Sequence, residues 1–122
     1  MKADIISPDM KSEFYTSEKC HIVELSNSPD DPEVSIARVR VEPGITTRWH
    51  LLKKPFERYY ILHGQGRVEI GELPPRDVVP GSVILIPPMC RQRITNTSAE
   101  DLLFLAICSP RFTVDDYVEF DD

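Results

Sequence analysis

Eleven prolines and five glycines interrupt this chain of 122 residues so often that few segments of helical length remain. Proline removes a backbone donor and fixes φ, and glycine favours turns, so both residues end regular structure. The clusters that do so are Pro43-Gly44, Gly64-Gln65-Gly66, residues 71–75 and Pro80-Gly81. Because the intervening segments are short, we expect them to be β-strands rather than helices.

The hydrophobic patterns of these segments are typical of strands. Residues 34–41 and 67–70 alternate apolar and polar side chains, as half-buried strands do. Residues 83–86 and 102–108 are continuous apolar runs, which we expect to be buried on both faces. Several short strands at close spacing predict an all-β sandwich or barrel.

Only short peripheral helical turns are expected beside these strands. One is residues 8–14, where Ser7 or Asp9 can cap a turn, and the other is residues 114–120. The length is that of one domain. We therefore predict a single domain over residues 1–122, with an N-terminal arm at 1–33 and an acidic C-terminal tail at 111–122.

The charge and composition argue against several classes of partner. Fourteen Lys and Arg against 20 Asp and Glu give a formal net charge of -6, whereas nucleic-acid binding needs basic surface, so we expect no nucleic-acid partner. The chain has no apolar run of the ~18 residues that a membrane span needs, and its polar N-terminus lacks the core of a secretory signal. Cys20, Cys90 and Cys108 have unrelated spacings, which fits reduced thiols. We expect a cytoplasmic protein with no membrane partner.

Ionisable residues are concentrated in residues 46–52 and 57–62, two strand-like stretches whose four-residue connection predicts a hairpin. In that register His50 lies opposite Tyr59, and opposite residues share a face. The shared face would hold Arg48, His50, Leu52, Glu57, Tyr59 and Ile61. Ionisable groups are rarely buried without partners or a function, so this face is the candidate site.

The same stretch resembles the first motif of the cupins, a family of small jelly-roll barrels. The motif reads Gly, five residues, His, one residue, His, three or four residues, Glu, six residues, Gly. Residues 44–64 match it at every fixed place except the second His, which is Leu52; the matching residues are Gly44, His50, Glu57 and Gly64.

The second cupin motif is similar to residues 81–96. Gly81, Pro87 and Asn96 match it, while Met89 replaces a glycine and Gln92 replaces the His. The resemblance is to single-domain microbial cupins of the conserved-barrel type, and it implies a double-stranded β-helix. It implies less about activity, because this barrel carries many chemistries.

The resemblance also implies a metal site. In metal-binding cupins the ligands are the His and Glu residues of the two motifs, which correspond here to His50, Glu57 and Gln92, with one ligand lost at Leu52. Nitrogen and oxygen donors of this kind suit Fe, Mn, Ni or Zn, and the Gln92 carbonyl oxygen would complete a three-ligand face. The alternative is that His50 and Glu57 are hydrogen-bonded in a metal-free pocket.

Three further residues have two interpretations each. Arg48 would hold an anionic substrate group or neutralise Glu57. Tyr59 would donate to a substrate oxygen or fill the barrel. Cys90 would face the substrate or serve as a small buried hydrophobe. The expected catalytic set is therefore His50, Glu57 and Tyr59, and the expected substrate-binding set is Arg48, Tyr59 and Cys90.

Two functions of different classes follow. One is an enzyme that binds a divalent metal and a small polar or anionic molecule, as a metal-dependent dioxygenase or a sugar isomerase or epimerase would. Without a metal, His50 or Glu57 would serve as its general base. The other is a non-catalytic small-molecule binding or sensing barrel.

A homodimer is predicted from the opposite face of the expected hairpin. The side chains that would alternate with the inward set form an apolar patch of Trp49, Leu51, Tyr60 and Leu62. A monomer seldom leaves such a patch in water, so a second copy is expected to cover it.

Overall fold

The computed structural model describes residues 1–121 and has the all-β fold of a double-stranded β-helix. Its strands are β1 (Phe14–Tyr15), β2 (His21–Ser28), β3 (Asp31–Val41), β4 (His50–Leu52), β5 (Phe56–His63), β6 (Gly66–Ile70), β7 (Arg76–Val78), β8 (Val83–Ile86), β9 (Gln92–Asn96), β10 (Leu102–Ser109) and β11 (Tyr117–Glu119). Short 3₁₀ helices lie at Met10–Ser12 and Val114–Asp116.

Two antiparallel sheets face each other. Sheet A has the strand order β1-β2-β3-β10-β5-β8, and sheet B has the order β11-β4-β9-β6-β7. Each strand sends every second side chain into the space between the sheets. The largest fully buried side chains of that core include Phe104, Ile61, Ile94 and Leu102.

The predicted strands form, but the continuous apolar runs are not buried on both faces. β8 has the predicted bounds, and β3, β6 and β10 extend one to three residues beyond them. In β8, Ile84 and Ile86 are buried, whereas Val83 and Leu85 are 58% and 68% exposed. The prediction was wrong because an apolar run does not specify which faces of a sheet are covered.

The hairpin predicted within residues 46–62 does not form. β4 pairs with β9 and β11 in sheet B, whereas β5 pairs with β8 and β10 in sheet A. His50 therefore lies opposite Gln92 and Glu119, not opposite Tyr59. The two strands still send side chains into one interior because their sheets face each other.

The outward patch expected from that hairpin is consequently absent among residues 1–121. Leu51 is only 8% exposed, and its neighbour Trp49 lies under two guanidinium groups, those of Arg91 and Arg93, each 4.4 Å from the ring centroid. Tyr60 is exposed on the other sheet. Splitting the two strands between two sheets separated the members of the patch.

Both predicted helical turns form, but each spans only three residues. The first forms as Met10–Ser12, and the Asp9 side chain accepts a hydrogen bond from the Lys11 backbone N–H, as a cap does. The second forms only over Val114–Asp116, because Tyr117–Glu119 pairs with β4 instead. Within residues 1–121 no helix is long and apolar enough to cross a membrane.

Candidate functional site

A cavity of about 240 Å³ lies between the two sheets, next to the connection from β1 to β2. We call residues 16–20 of that connection the arm loop. Most of the wall is apolar and comes from strands of both sheets. The imidazole, carboxyl and phenol groups of the wall belong to His50, Glu18, Glu24, Glu57, Tyr59 and Tyr117.

His50 is held in one orientation inside this cavity. Its Nδ1 lies 2.9 Å from the Arg48 backbone oxygen, and because a carbonyl only accepts, Nδ1 carries the proton. Its Nε2 lies 3.7 Å from Glu18 Oε1. The Tyr117 ring stacks on the imidazole with centroids 5.5 Å apart. Nε2 is thus the atom that His50 presents for proton transfer.

Glu57 is a buried carboxyl group on the opposite sheet. The Gln92 amide nitrogen donates to its Oε1 at 2.6 Å, and the Cys108 thiol lies 3.6 Å from its Oε2. Burial raises the pKa of Glu57, and the nearby His50 opposes this rise. Glu57 therefore keeps its proton to a higher pH than an exposed glutamic acid and can act as a proton donor.

Tyr59 places a phenol in the same cavity. It is 4% exposed, and its ring packs on Phe104 with centroids 4.4 Å apart. Its hydroxyl has no hydrogen-bond partner among residues 1–121. Burial raises its pKa, as do the carboxyl groups of Glu57 and Glu18. The hydroxyl thus stays protonated and is available to donate to a bound molecule.

Glu18, like Glu24 and Tyr117, is a member of the site that the sequence did not reveal. It belongs to the arm loop, where the Arg48 backbone N–H donates to the Glu18 carbonyl at 3.1 Å. The Arg48 Nε donates to the Ser17 carbonyl at 2.8 Å. No pattern around Glu18 distinguishes it from other acidic residues, and the motifs lie elsewhere in the chain.

The motif positions explain the fold independently of this chemistry. Gly64 and Gly81 have positive φ values of 84° and 93°, and a Cβ at Gly64 would lie 2.8 Å from the Asp101 oxygen. Met89, which replaces the motif-two glycine, keeps a positive φ of 64°.

Residues 37–108 match the family model described as the Cupin domain, Cupin_2. The chain belongs to the cupin family.

Solved structures similar to this cupin have diverse descriptions. KdgF from Halomonas sp. has 17% identity and a TM-score of 0.77, covering 89% of this chain and 96% of its own. Pac13, a nucleoside dehydratase, has 16% identity and a TM-score of 0.77, covering 96% and 92%; its variants with uridine are attributed to Streptomyces.

A third similar structure is a formate complex of the Lactobacillus farciminis oxalate decarboxylase. It has 20% identity and a TM-score of 0.75, and the match covers 94% of this cupin but only 33% of that chain. This cupin thus spans about a third of the decarboxylase. No functionally curated protein is matched by sequence.

Two of the expected substrate-binding residues of this cupin do not reach the cavity. The Arg48 guanidinium donates to the Ser17 carbonyl, and Arg48 is not among the described residues that line the wall. Cys90 precedes β9, lies half-buried beside Gly71 and is likewise outside the described wall. Both expectations assumed a regular strand at these positions, whereas residues 48 and 90 precede the first paired residues of their strands.

Of the expected metal ligands of this cupin, His50 and Glu57 are among the described residues of the cavity wall, whereas Gln92 is not. The Gln92 amide nitrogen is directed at Glu57, while its carbonyl oxygen is enclosed by protein without a hydrogen-bond partner. Within residues 1–121 no group of three His, Cys, Asp or Glu side chains could hold a metal ion. The Gln92 carboxamide is thus engaged with Glu57, which leaves His50 and Glu57 as the expected ligands that face the cavity.

Proposed function

We propose that this cupin is a proton-transfer enzyme that isomerises or dehydrates a small carbonyl compound with its own side chains. The observation that carries the proposal is the orientation of His50, whose Nδ1 donates to the Arg48 carbonyl while Nε2 faces Glu18. A base fixed in this way, beside a carboxylate and two proton donors, is the equipment of general acid–base catalysis.

The proposed reaction begins when His50 Nε2 takes a proton from the carbon next to the carbonyl. The Glu18 carboxylate stabilises the imidazolium that results. The electron pair of the broken C–H bond moves onto the carbonyl oxygen, to which the Tyr59 hydroxyl donates.

Two outcomes are then open to the intermediate. If the α-carbon carries a hydroxyl group, the proton on His50 returns to the former carbonyl carbon while the hydroxyl proton passes to the former carbonyl oxygen, and the product is the isomeric hydroxy carbonyl compound. If instead a hydroxyl group leaves from the next carbon, it takes a proton from Glu57 and departs as water. The buried Glu57 carboxyl suits this donation because its pKa is raised.

The similar structures support this class of reaction by analogy. Pac13 is described as a nucleoside dehydratase, and dehydration is a proton-transfer reaction. At 16% identity the likeness extends to the fold, so it favours the class and leaves the substrate open.

Hydrogen–deuterium exchange followed by NMR tests the proposal. Wild-type protein in D₂O should label the α-carbon of small hydroxy or amino carbonyl compounds, and His50→Gln should lose at least ~100-fold of that rate. His63→Gln is the matched control, because His63 is an exposed imidazole whose side chain is 54% accessible. Wild-type protein that binds such compounds without exchange would contradict the proposal and favour the non-catalytic barrel.

A chelator test separates this reaction from metal chemistry. We expect exchange to survive dialysis against EDTA, since the steps assigned to His50, Glu18 and Tyr59 use only side-chain groups. Activity that disappears on dialysis and returns with Zn²⁺, Fe²⁺, Mn²⁺ or Ni²⁺ would overturn the metal-independent mechanism.

We further infer a homodimer formed through the outward face of β5 and β8. This face carries Tyr60, Leu62, Val83 and Leu85, which are 41–68% exposed, and Tyr60 is paired with Val83. Sedimentation should give twice the 14.0 kDa of one chain, and Leu85→Glu should produce the monomer. Ile6→Glu is the control, because Ile6 is 60% exposed and lies before β1, outside the strands of this face. A monomeric wild type would refute the dimer.

A further inference from the structure

The charged groups in the cavity wall are unbalanced. Glu18, Glu24 and Glu57 contribute three carboxyl groups, and no lysine or arginine is among the described residues of the wall. Arg48, which the sequence placed here, donates its Nε to the Ser17 carbonyl instead. Because the wall supplies carboxyl groups and no lysine or arginine to match them, it disfavours the anionic ligand expected from the sequence.

The remaining surface of the cavity also suits a cation. Aromatic rings contribute to its wall, and an ammonium group is attracted to the face of such a ring. Tyr59 and Tyr117 are among them, and the buried Tyr59 hydroxyl has no partner among residues 1–121. The site therefore combines carboxylates, aromatic faces and an unpaired hydroxyl around one space.

The size of the cavity limits the ligand. Its volume of about 240 Å³ is on the order of eight times the ~30 Å³ that a water molecule occupies in the liquid. That space accommodates a single-ring or short-chain molecule, below the ~300–1,000 Å³ of drug-sized sites. The apolar parts of the wall, such as Val39 and Leu52, require that most of the ligand be apolar.

We propose that the cavity selects a small primary amine in its ammonium form, with the charge facing Glu18 and Glu24 and an apolar body between the aromatic rings. This inference names the substrate class of the proposed enzyme and rests on that proposal for the identity of the site. The substrate would then be an amino carbonyl compound rather than a carboxylate.

Calorimetry with three probes of the same shape tests the charge preference: benzylamine, benzyl alcohol and benzoate at pH 7. We expect benzylamine to bind at least ten-fold more tightly than benzyl alcohol, and benzoate to bind more weakly than either. Benzoate binding as tight as benzylamine, or no difference between benzylamine and benzyl alcohol, would overturn the inference.

Variants locate the charge that is responsible. Glu24→Gln should weaken benzylamine roughly three- to ten-fold and leave benzyl alcohol unchanged, because Glu24 is an exposed residue at the cavity wall. Glu33→Gln is the control, since Glu33 is exposed and outside the described wall. Equal loss of benzylamine affinity in both variants would contradict an ammonium site beside Glu24.

The experiments distinguish failure of the amine site from failure of the proton-transfer mechanism. Amine selectivity that persists in His50→Gln, without hydrogen–deuterium exchange in the wild type, would support the amine site and contradict the proton-transfer enzyme. Exchange on neutral carbonyl compounds with no preference for benzylamine would support the enzyme and contradict the amine site.

Discussion

Two parts of the cavity wall are held in place by different interactions. His50, Glu57 and Tyr59 project from paired strands of the barrel, and each is less than 10% exposed. Glu18 projects from the arm loop, whose position depends on two hydrogen bonds from Arg48. Strand pairing thus fixes the barrel groups, whereas Glu18 is positioned by the hydrogen bonds from Arg48 and by Cys20, which anchors the end of the arm loop in the core.

The segment just before the arm loop is also attached to the barrel, through ion pairs of Glu13 on the outer face of sheet A. Glu13 accepts from Arg38 at 2.9 Å and from Arg40 at 2.7 Å. These pairs, chiefly the hydrogen bond from Arg40, lower the pKa of Glu13 to about 2. Ser17 adds a hydrogen bond to Glu119 at 3.0 Å. We infer that loss of the Glu13 and Ser17 contacts would detach residues 13–18 without unfolding the barrel. The following predictions test this difference in stability.

The largest effect is expected for the barrel. Phe104→Ala removes a ring that is 1% exposed and packs on Tyr59, so the free energy of unfolding should fall by about 3–5 kcal/mol. Urea denaturation measures it, with Ile6→Ala as the exposed control. A loss under ~1 kcal/mol would mean that the barrel is not the more rigid part.

The next effect tests whether the barrel groups are fixed well enough to build a metal site. Leu52 is buried and lines the cavity beside His50 and Glu57. Leu52→His should therefore bind Zn²⁺ roughly ten-fold more tightly than the wild type, because it adds an imidazole ligand. Calorimetry compares it with Leu73→His on the exposed surface. Equal affinity in the two variants would mean that the strands do not direct these groups to one point.

A smaller loss of stability is expected when the ion pairs of Glu13 are removed. Glu13→Gln should lower the free energy of unfolding by about 1 kcal/mol at pH 7, since partly exposed ion pairs contribute little. Because the pKa of Glu13 is lowered to about 2, its contribution is present above the unfolded pKa near ~4.3 and is lost as the pH falls toward 2.

Stability measured from pH 7 down to pH 2 should therefore bring the wild type and Glu13→Gln together. Exposed Glu33→Gln is the control, and it should follow the wild type throughout. If Glu13→Gln lowered the free energy of unfolding as much as Phe104→Ala does, the Glu13 contacts would be as important to stability as the barrel core, and the inference would be wrong.

The smallest change in stability is expected at Met89, in the turn between β8 and β9. Met89 has a φ of 64° and is 64% exposed, so its side chain has little packing to lose. Met89→Gly should raise the free energy of unfolding by about 0.5–1 kcal/mol, because glycine adopts this conformation without the steric cost of a Cβ. The exposed Val79→Gly should instead destabilise the protein. A destabilised Met89→Gly would show that the side chain contributes packing.

The sequence by itself determined the family and the main groups of the site. Proline and glycine punctuation with alternating apolar residues predicted an all-β barrel, and the motif spacing identified His50 and Glu57 as inward residues. Both follow from local rules, because turn conformations depend on neighbouring residues and a strand alternates its faces regardless of its partner.

Only the tertiary structure decided which sheet each strand joins and what stands beside His50. It placed β4 and β5 in different sheets, brought Glu18 to the imidazole and engaged Arg48 with the arm loop. These contacts join segments far apart in the chain, and no local pattern encodes them, because strand pairing and loop position depend on the free energy of the whole packed barrel.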